Sequence, residues 1–183
     1  DYRYHTAIVM TDALAGYTDE FMQELMLKTA GHYQFVGGGA GDDAAFSETH
    51  VFFGTKAYRD SAVALEILSN DPVGIGFKHG WETASEALRA TEADGLRLIS
   101  INAMPAAEAF QEFALKTNQN FDRNNPVPFF LHNVIGIHTA LGYKLRVPLT
   151  VNSDDSVSCA SNVPMGSTIH SMRTTNLSSA EAA

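Results

Sequence analysis

The feature that most constrains this chain is a run of glycines after a short apolar segment that ends at Val36. Four of five consecutive residues are glycines: Gly37, Gly38, Gly39 and Gly41. Glycine has no side chain and reaches positive φ without steric cost, so such a run predicts a tight loop after a strand. Backbone N–H groups in such a loop can converge on one point, as in anion-binding turns. We therefore expect either a ligand-binding loop or a simple turn between two elements.

Two carboxylates, Asp42 and Asp43, follow the glycines directly. Their charge would repel a purely anionic ligand and favours an ammonium group, a zwitterion such as an amino acid, or a metal ion. The run is not a dinucleotide fingerprint, because the sixth position of that pattern is Asp42 or Ala44 instead of glycine. The chain also lacks the Gly-Lys-Ser/Thr sequence of a phosphate-binding P-loop.

The composition excludes several classes of partner. The formal net charge is −9, with 12 Lys and Arg residues scattered over 183 positions. Nucleic acids and anionic membrane surfaces bind mainly through Lys and Arg, so we expect neither as a partner. One cysteine and no long apolar run predict a cytoplasmic protein without a membrane span. The first residue is Asp and the last segment has a helical pattern, which suggests a fragment or a processed chain.

The periodicity of apolar residues predicts a mixed α/β (α+β) fold with largely antiparallel sheets and flanking helices. A buried strand is expected at 6–12, and a helix should follow that begins at Thr18 or Asp19. One face of that helix carries the residues expected in the core: Phe21, Met22, Leu25, Met26 and Thr29. Residues 33–36 are expected to form a strand that leads into the glycine loop.

Between residues 50 and 101 apolar and polar residues alternate, which predicts an antiparallel meander. Its strands should include 61–68 and 73–81, and Asp94-Gly95 is typical of a hairpin turn. A second amphipathic helix is expected after Pro105. The polar segment 118–128 is predicted to be a linker or domain boundary, with strands near 145–151, 156–163 and 168–174 and a last helix from 177.

Three further residues are candidates for a site. His79 and Trp81 lie two apart in the predicted strand 73–81, so both should project from one face as a hydrogen-bonding tip and an apolar wall. Arg146 interrupts an apolar strand and must be paired if buried, either with a ligand carboxylate or with Asp42, Asp43 or Glu92. Cys159 should face the core as an inert thiol.

Six short segments follow one another along the chain: 36–43 (VGGGAGDD), 79–81 (HGW), 91–96 (TEADGL), 101–106 (INAMPA), 145–149 (LRVPL) and 163–167 (VPMGS). In this order they resemble the motifs of the FIST domain family. The resemblance implies that residues 1–118 are the later part of the family's N-terminal module. Residues 119–183 would be the beginning of its C-terminal module.

The same resemblance implies a sensory module of a bacterial or archaeal signalling protein that binds a small ligand, such as an amino acid. Gly37, Gly38, Gly39, Asp42 and Asp43 would then bind the ligand. So would three residues further along the chain: His79, Trp81 and Arg146. One branch of the family implies a haem-based nitric oxide sensor that regulates a partner histidine kinase. For that branch, His79 and His132 are the candidate iron ligands.

Two functions of other classes stay open. Asp42, Asp43 and His79 could supply the acid–base or metal groups of an enzyme such as a hydrolase or a metal-dependent lyase. The low content of charged residues, 18%, is also typical of a domain whose surface is covered by a partner.

Overall fold

A computed structural model describes residues 2–43, 45–140 and 142–182. The chain forms two compact units, Asp1–Phe77 and Lys78–Ala183, each with its own sheet. Helices and large, mainly antiparallel sheets occur together, which confirms the predicted mixed α/β class. None of the helices in the described part of the chain is long and apolar enough to cross a membrane.

In its described residues, the first unit has one helix and five strands: β1 (Tyr4–Asp12), α1 (Thr18–Lys28), β2 (Tyr33–Ala40), β3 (Val51–Phe53), β4 (Lys56–Tyr58) and β5 (Ala62–Ser69). The central strand β1 pairs with β2 in parallel and with β5 in antiparallel orientation. The connection from β1 to β2 runs through α1, as parallel pairing requires. Strands β3 and β4 form a separate hairpin.

The structure corrects three predictions for the first unit. Gly37, Gly38 and Gly39 do not form a loop, because β2 continues through them to Ala40 and pairs with β1 over its full length; Gly41 follows the strand. The meander prediction is wrong for β5, which returns to β1 instead of pairing with its neighbours in sequence. The predicted apolar face of α1 is not core, since no residue of that helix is buried. Tyr17 takes the N-cap position without a side-chain capping bond.

The second unit contains β6 (Trp81–Thr83), β7 (Leu88–Asp94), β8 (Arg97–Ile101), β9 (Met104–Pro105), α2 (Ala106–Lys116), α3 (Val127–Phe130), β10 (Val134–Thr139), β11 (Gly142–Arg146), β12 (Pro148–Val151), β13 (Val157–Cys159), β14 (Thr168–Thr174) and α4 (Asn176–Ala182). The strands of its described residues form one sheet in the order β11-β10-β14-β7-β8-β13-β12, with β6 paired to β14 and β9 to β8. The predicted Asp94-Gly95 hairpin joins β7 and β8.

Four phenylalanines anchor α2 and α3 in the core of the second unit. The ring of Phe110, on α2, lies 5.1 Å from that of Phe130 and 6.4 Å from that of Phe121, centre to centre. Phe129 completes the cluster at 4.9 Å from Phe121. Such ring pairs add about 0.5–1.5 kcal/mol each beyond the burial of their area. They fix the helices to a sheet whose inner residues are almost fully buried.

Two further predictions are wrong. Residues 72–80 have no regular secondary structure, so the predicted strand 73–81 is reduced to β6. The segment 118–128 is not a spacer between compact units, because Phe121 within it is buried in the second unit's core. The division into FIST modules at residue 118 is a separate matter and stays a prediction.

Candidate functional site

A cavity of about 360 Å³ lies between α1 and the parallel strands β1 and β2 of the first unit. It is lined by Val9, Thr11, Ala13, Thr18, Met22, Phe35, Val36, Gly37, Gly38 and Gly39. We call this cavity the glycine groove. Thr18 and Met22 line it from one face of α1, because residues four apart in a helix project on the same side. All three glycines predicted to bind a ligand therefore lie together, along a strand instead of a loop.

The three glycines of the groove differ in the space that a side chain would find at their positions. A Cβ at Gly37 would lie 1.7 Å from the backbone oxygen of Val9, which is far inside contact distance. A Cβ at Gly39 would lie 2.7 Å from the Cβ of Ala13. At Gly38 a Cβ would meet nothing within 4 Å. Gly37 and Gly39 are thus required by the close approach of the protein's own backbone and of Ala13, which sequence alone did not indicate.

Helix α1 borders the groove without being packed into the core. None of its eleven residues is buried, and Phe21 and Met26 are 37% and 52% exposed. The strand that faces it presents glycine where apolar side chains would normally fill the space below a helix. The sparse packing of α1 and the volume of the groove therefore have the same origin in the β2 sequence.

Thr11 is a buried polar residue in the wall of the groove. It is 7% exposed, and its hydroxyl has no hydrogen-bond partner among the described residues. Buried hydroxyls are normally paired, because an unpaired one costs about 1–3 kcal/mol. A second cavity of about 370 Å³, on the β5 side of α1, shares Thr11 and Thr18 with the glycine groove. We call it the β5-side groove.

Asp12, the last residue of β1, holds the loops next to these grooves. Its carboxylate accepts hydrogen bonds from the N–H of Leu14 at 3.0 Å, from the N–H of Asp60 at 2.8 Å and from the hydroxyl of Thr49. The hydrogen bond from Thr49 is the main reason that the pKa of Asp12 is lowered. Asp12 is 3% exposed, so its charge is stabilised by the protein and not by water.

The carboxylate of Asp42 is used by its own loop. It accepts hydrogen bonds from the backbone N–H groups of Phe46 (3.0 Å), Ser47 (2.7 Å) and Glu48 (3.1 Å). These bonds, that from Ser47 first, lower the pKa of Asp42. A carboxylate held in this way is a weak base, which disfavours an acid–base role. Asp43 is exposed in the turn that follows, at a positive φ of 55°.

The other predicted ligand residues belong to the second unit. The Nδ1 atom of His79 accepts a hydrogen bond from the N–H of Trp81 at 3.3 Å, and Trp81 opens the edge strand β6 opposite Thr174. Their predicted common strand face does not exist, since His79 lies outside the strand. Arg146 is buried, and its guanidinium donates hydrogen bonds to the carbonyls of Asn162 and Leu145.

Two further predictions concern His132 and Cys159. His132 precedes β10 and borders an open cavity of about 460 Å³ together with Gln119, Phe129 and Arg173. Cys159 is buried, and burial raises the pKa of its thiol to about 12, as expected of an inert core cysteine. No three His, Cys, Asp or Glu side chains of the described residues are grouped so as to hold a metal ion.

Sequence reasoning missed the residues that shape the groove opposite the glycines. Thr11 and Asp12 were assigned only to a strand, and Met22 only to the core. One signal could have found them. Thr11 and Asp12 are two polar residues at the end of the buried strand β1, and the glycines lie on β2, which pairs with β1 in parallel. Ligands of open α/β sheets bind outside the carboxyl ends of parallel strands, where such residues collect.

The sequence model of the FIST N domain family matches residues 2–104 of this chain. This range contains the first unit except for its first residue, and it also contains the beginning of the second unit. No curated protein and no solved structure matches the chain. FIST domains are small-ligand sensory domains of signalling proteins. Since the match covers more than half of the chain, this protein belongs to the FIST N domain family.

Proposed function

We propose that the first unit is a sensor that binds a small molecule in the glycine groove. The observation that carries this proposal is a cavity of about 360 Å³ bordered by a helix without a single buried residue. A molecule in the groove would contact α1 on one side and β1 and β2 on the other. It would supply the packing that the glycines of β2 leave out.

Ligand binding then changes the stability of one element. A molecule that binds the docked position of α1 more tightly than the undocked position shifts the population toward the docked one. At a ligand concentration of 100 times Kd, the native state gains about 2.7 kcal/mol. The signal of this sensor is therefore the docking of α1, which a partner protein can detect.

The test compares two methionines of α1. A library of small neutral and charged fragments is screened against the full chain by thermal shift, and the hits are repeated with Met22→Trp and Met26→Trp. Met22 lines the groove, whereas Met26, one turn further along the same helix, is 52% exposed and does not. We expect hits whose binding is lost in Met22→Trp and kept in Met26→Trp. Hits that both variants bind equally, or no hits, would contradict the proposal.

We also propose the finer family assignment. Residues 1–118 would be the later part of the N-terminal FIST module, and residues 119–183 the beginning of the C-terminal one. The family match over 2–104 supports the first assignment, and segments 145–149 and 163–167 support the second. A partner such as a histidine kinase would receive the signal. The cytoplasmic location stays a prediction.

Haem-based nitric oxide sensing has less support. Around His132, Arg173 could pair with a haem propionate and Phe129 could contact the porphyrin. The remaining lining residues are Gln119, Asn120, Pro128 and Thr174, whereas haem presents two broad apolar faces. These residues do not fit a buried haem. A Soret band after addition of haem to the full chain, lost in His132→Ala and kept in His138→Ala, would overturn this conclusion.

A further inference from the structure

We propose that the ligand of the glycine groove is an uncharged, largely apolar molecule with one hydrogen-bonding group that reaches Thr11. Free amino acids and other ions are then not its ligands. This inference rests on the proposed function and names the chemical class of the molecule. It replaces the amino acid expected from the aspartates after the glycine run.

The first argument is the charge of the groove. None of the described residues that line it carries a charged side chain. Val9, Met22, Phe35 and Val36 give it an apolar wall, to which the glycines add bare backbone. An ion that leaves water for such a site loses hydration without gaining a partner, which makes its binding unfavourable. An apolar molecule gains free energy from the same transfer.

The second argument concerns the places where a charged end could lie. The N-terminal turn of α1 attracts anions in principle, but it carries Asp19 and Glu20, which oppose a further negative charge. The adjacent β5-side groove contains Asp12 and Asp60 and no lysine, arginine or histidine among its described lining residues. A carboxylate thus finds no lysine, arginine or histidine among the described residues that line either groove, and the nearby Arg59 already interacts with the charge of Asp12. Asp12 is only 3% exposed and already accepts three hydrogen bonds, which leaves about one acceptor site and little access for an ammonium group.

The third argument is the hydroxyl of Thr11. It is more than nine-tenths buried and unpartnered among the described residues, at a residue that lines the groove. A hydroxyl both donates and accepts, so it can pair with an alcohol, a phenol or a carbonyl. Thr6, on the same strand, also has a buried hydroxyl without a partner among the described residues, but Thr6 does not line the groove. Thr6 is therefore a matched control for the role of the Thr11 hydroxyl.

The test uses four probes of one shape with the full chain at pH 7: 2-naphthol, naphthalene, 2-naphthoate and 2-naphthylmethylammonium. Binding is measured by fluorescence for the wild type, Thr11→Val, Thr6→Val and Met22→Trp. We expect 2-naphthol to bind at least tenfold more tightly than either ion. Thr11→Val should weaken 2-naphthol about tenfold and leave naphthalene unchanged, because only the hydroxyl contact is removed. Thr6→Val should change neither, and Met22→Trp should abolish both.

The outcomes separate this inference from the proposed function. If 2-naphthoate or the ammonium probe binds as tightly as 2-naphthol and Met22→Trp prevents it, the groove binds ligands but the inferred class is wrong. Equal losses in Thr11→Val and Thr6→Val would also overturn the role of Thr11. If none of the four probes binds, the class is wrong. The proposed function fails only if the wider fragment screen also yields no hit that is sensitive to Met22→Trp.

Discussion

A single carboxylate, that of Asp12, joins three segments of the first unit. It holds the backbone after β1 through Leu14, the start of the β3 hairpin through Thr49 and the turn before β5 through Asp60. Hydrogen bonds to a charged group contribute about 1.5–3 kcal/mol each when they are removed singly. Asp12 therefore holds the backbone between Ala13, which lines the glycine groove, and Ala15, which lines the β5-side groove.

Asp12 makes the stability of the protein depend on pH. The pKa of Asp12 is lower in the folded protein than in the unfolded chain, where it is about 3.9. Its contribution to the free energy of unfolding is therefore complete above about pH 3.9 and is lost as the pH falls through the pKa of the folded state. We expect Asp12→Asn to cost about 2 kcal/mol at pH 7 and to reduce the loss of stability below about pH 4. Urea unfolding, followed by circular dichroism at several pH values, measures both effects. Asp71→Asn, at an exposed aspartate of the same unit, is the control. Equal pH profiles for Asp12→Asn and the wild type would contradict this role.

The thiol of Cys159 should be unreactive in the native protein. Burial raises its pKa to about 12, so roughly one thiol in 10,000 is ionised at pH 8, and only the thiolate reacts. We expect no labelling by a disulfide reagent in buffer and one labelled thiol per chain in denaturant. The control is the double variant Cys159→Ala/Ser153→Cys, which carries its thiol at an exposed position and should react with the reagent at once in buffer. Fast native labelling of the wild type would show that this core is open.

At the scale of elements, the close pairing of β2 with β1 depends on which of its glycines is replaced. Gly37→Ala places a Cβ 1.7 Å from the Val9 oxygen, so β1 and β2 must separate, and we expect a loss of about 3 kcal/mol. Gly38→Ala adds a Cβ in open space and should change the stability by less than about 0.5 kcal/mol. Thermal unfolding of the two variants measures the difference. Similar losses in both would mean that β2 is not held as closely to β1 as the structure has it.

Helix α1 should be less protected from hydrogen exchange than the neighbouring strand β1. It has no buried residue, whereas Ala7 and Val9 of β1 are buried. Elements with few buried contacts open locally at low free energy. We expect the amide hydrogens of α1 to exchange at least tenfold faster than those in the middle of β1. A groove ligand should slow exchange in α1 selectively. Equal protection of α1 and β1 without ligand would contradict this description.

At the scale of the whole molecule, sequence periodicity predicted the helices and most strands but not their partners. Strand β1, α1, the β7–β8 hairpin, α2 and β14 depend on local patterns and were found. Strand β5 pairs with β1, about 55 residues away, and no local signal encodes that choice. Residues 73–81 alternate like a strand, yet two glycines and a lack of pairing leave most of the segment irregular.

Part of the groove lining could be predicted, because bare backbone is visible in a sequence: Gly37, Gly38 and Gly39 all line the groove. Their contact with a ligand stays a prediction. Thr11 and Met22 could not be chosen from many similar residues, since their role depends on how α1 lies against the sheet. Asp42 was the natural choice for a ligand contact, but its oxygens are occupied by three amides of its own loop. Hydrogen bonds that a loop makes to itself are not visible before the loop is folded.

The central claim, that a small molecule occupies the space between α1 and the glycine strand, is tested most directly by methyl NMR of the methionines. The full chain, labelled at the methionine methyl groups, is titrated with a hit from the fragment screen. Met22 lines the groove, whereas Met10 and Met26 are exposed residues outside it. We predict a shift of the Met22 signal and intermolecular contacts to it, with Met10 and Met26 unchanged. Saturable binding that moves Met10 or Met26 and leaves Met22 in place would contradict the account.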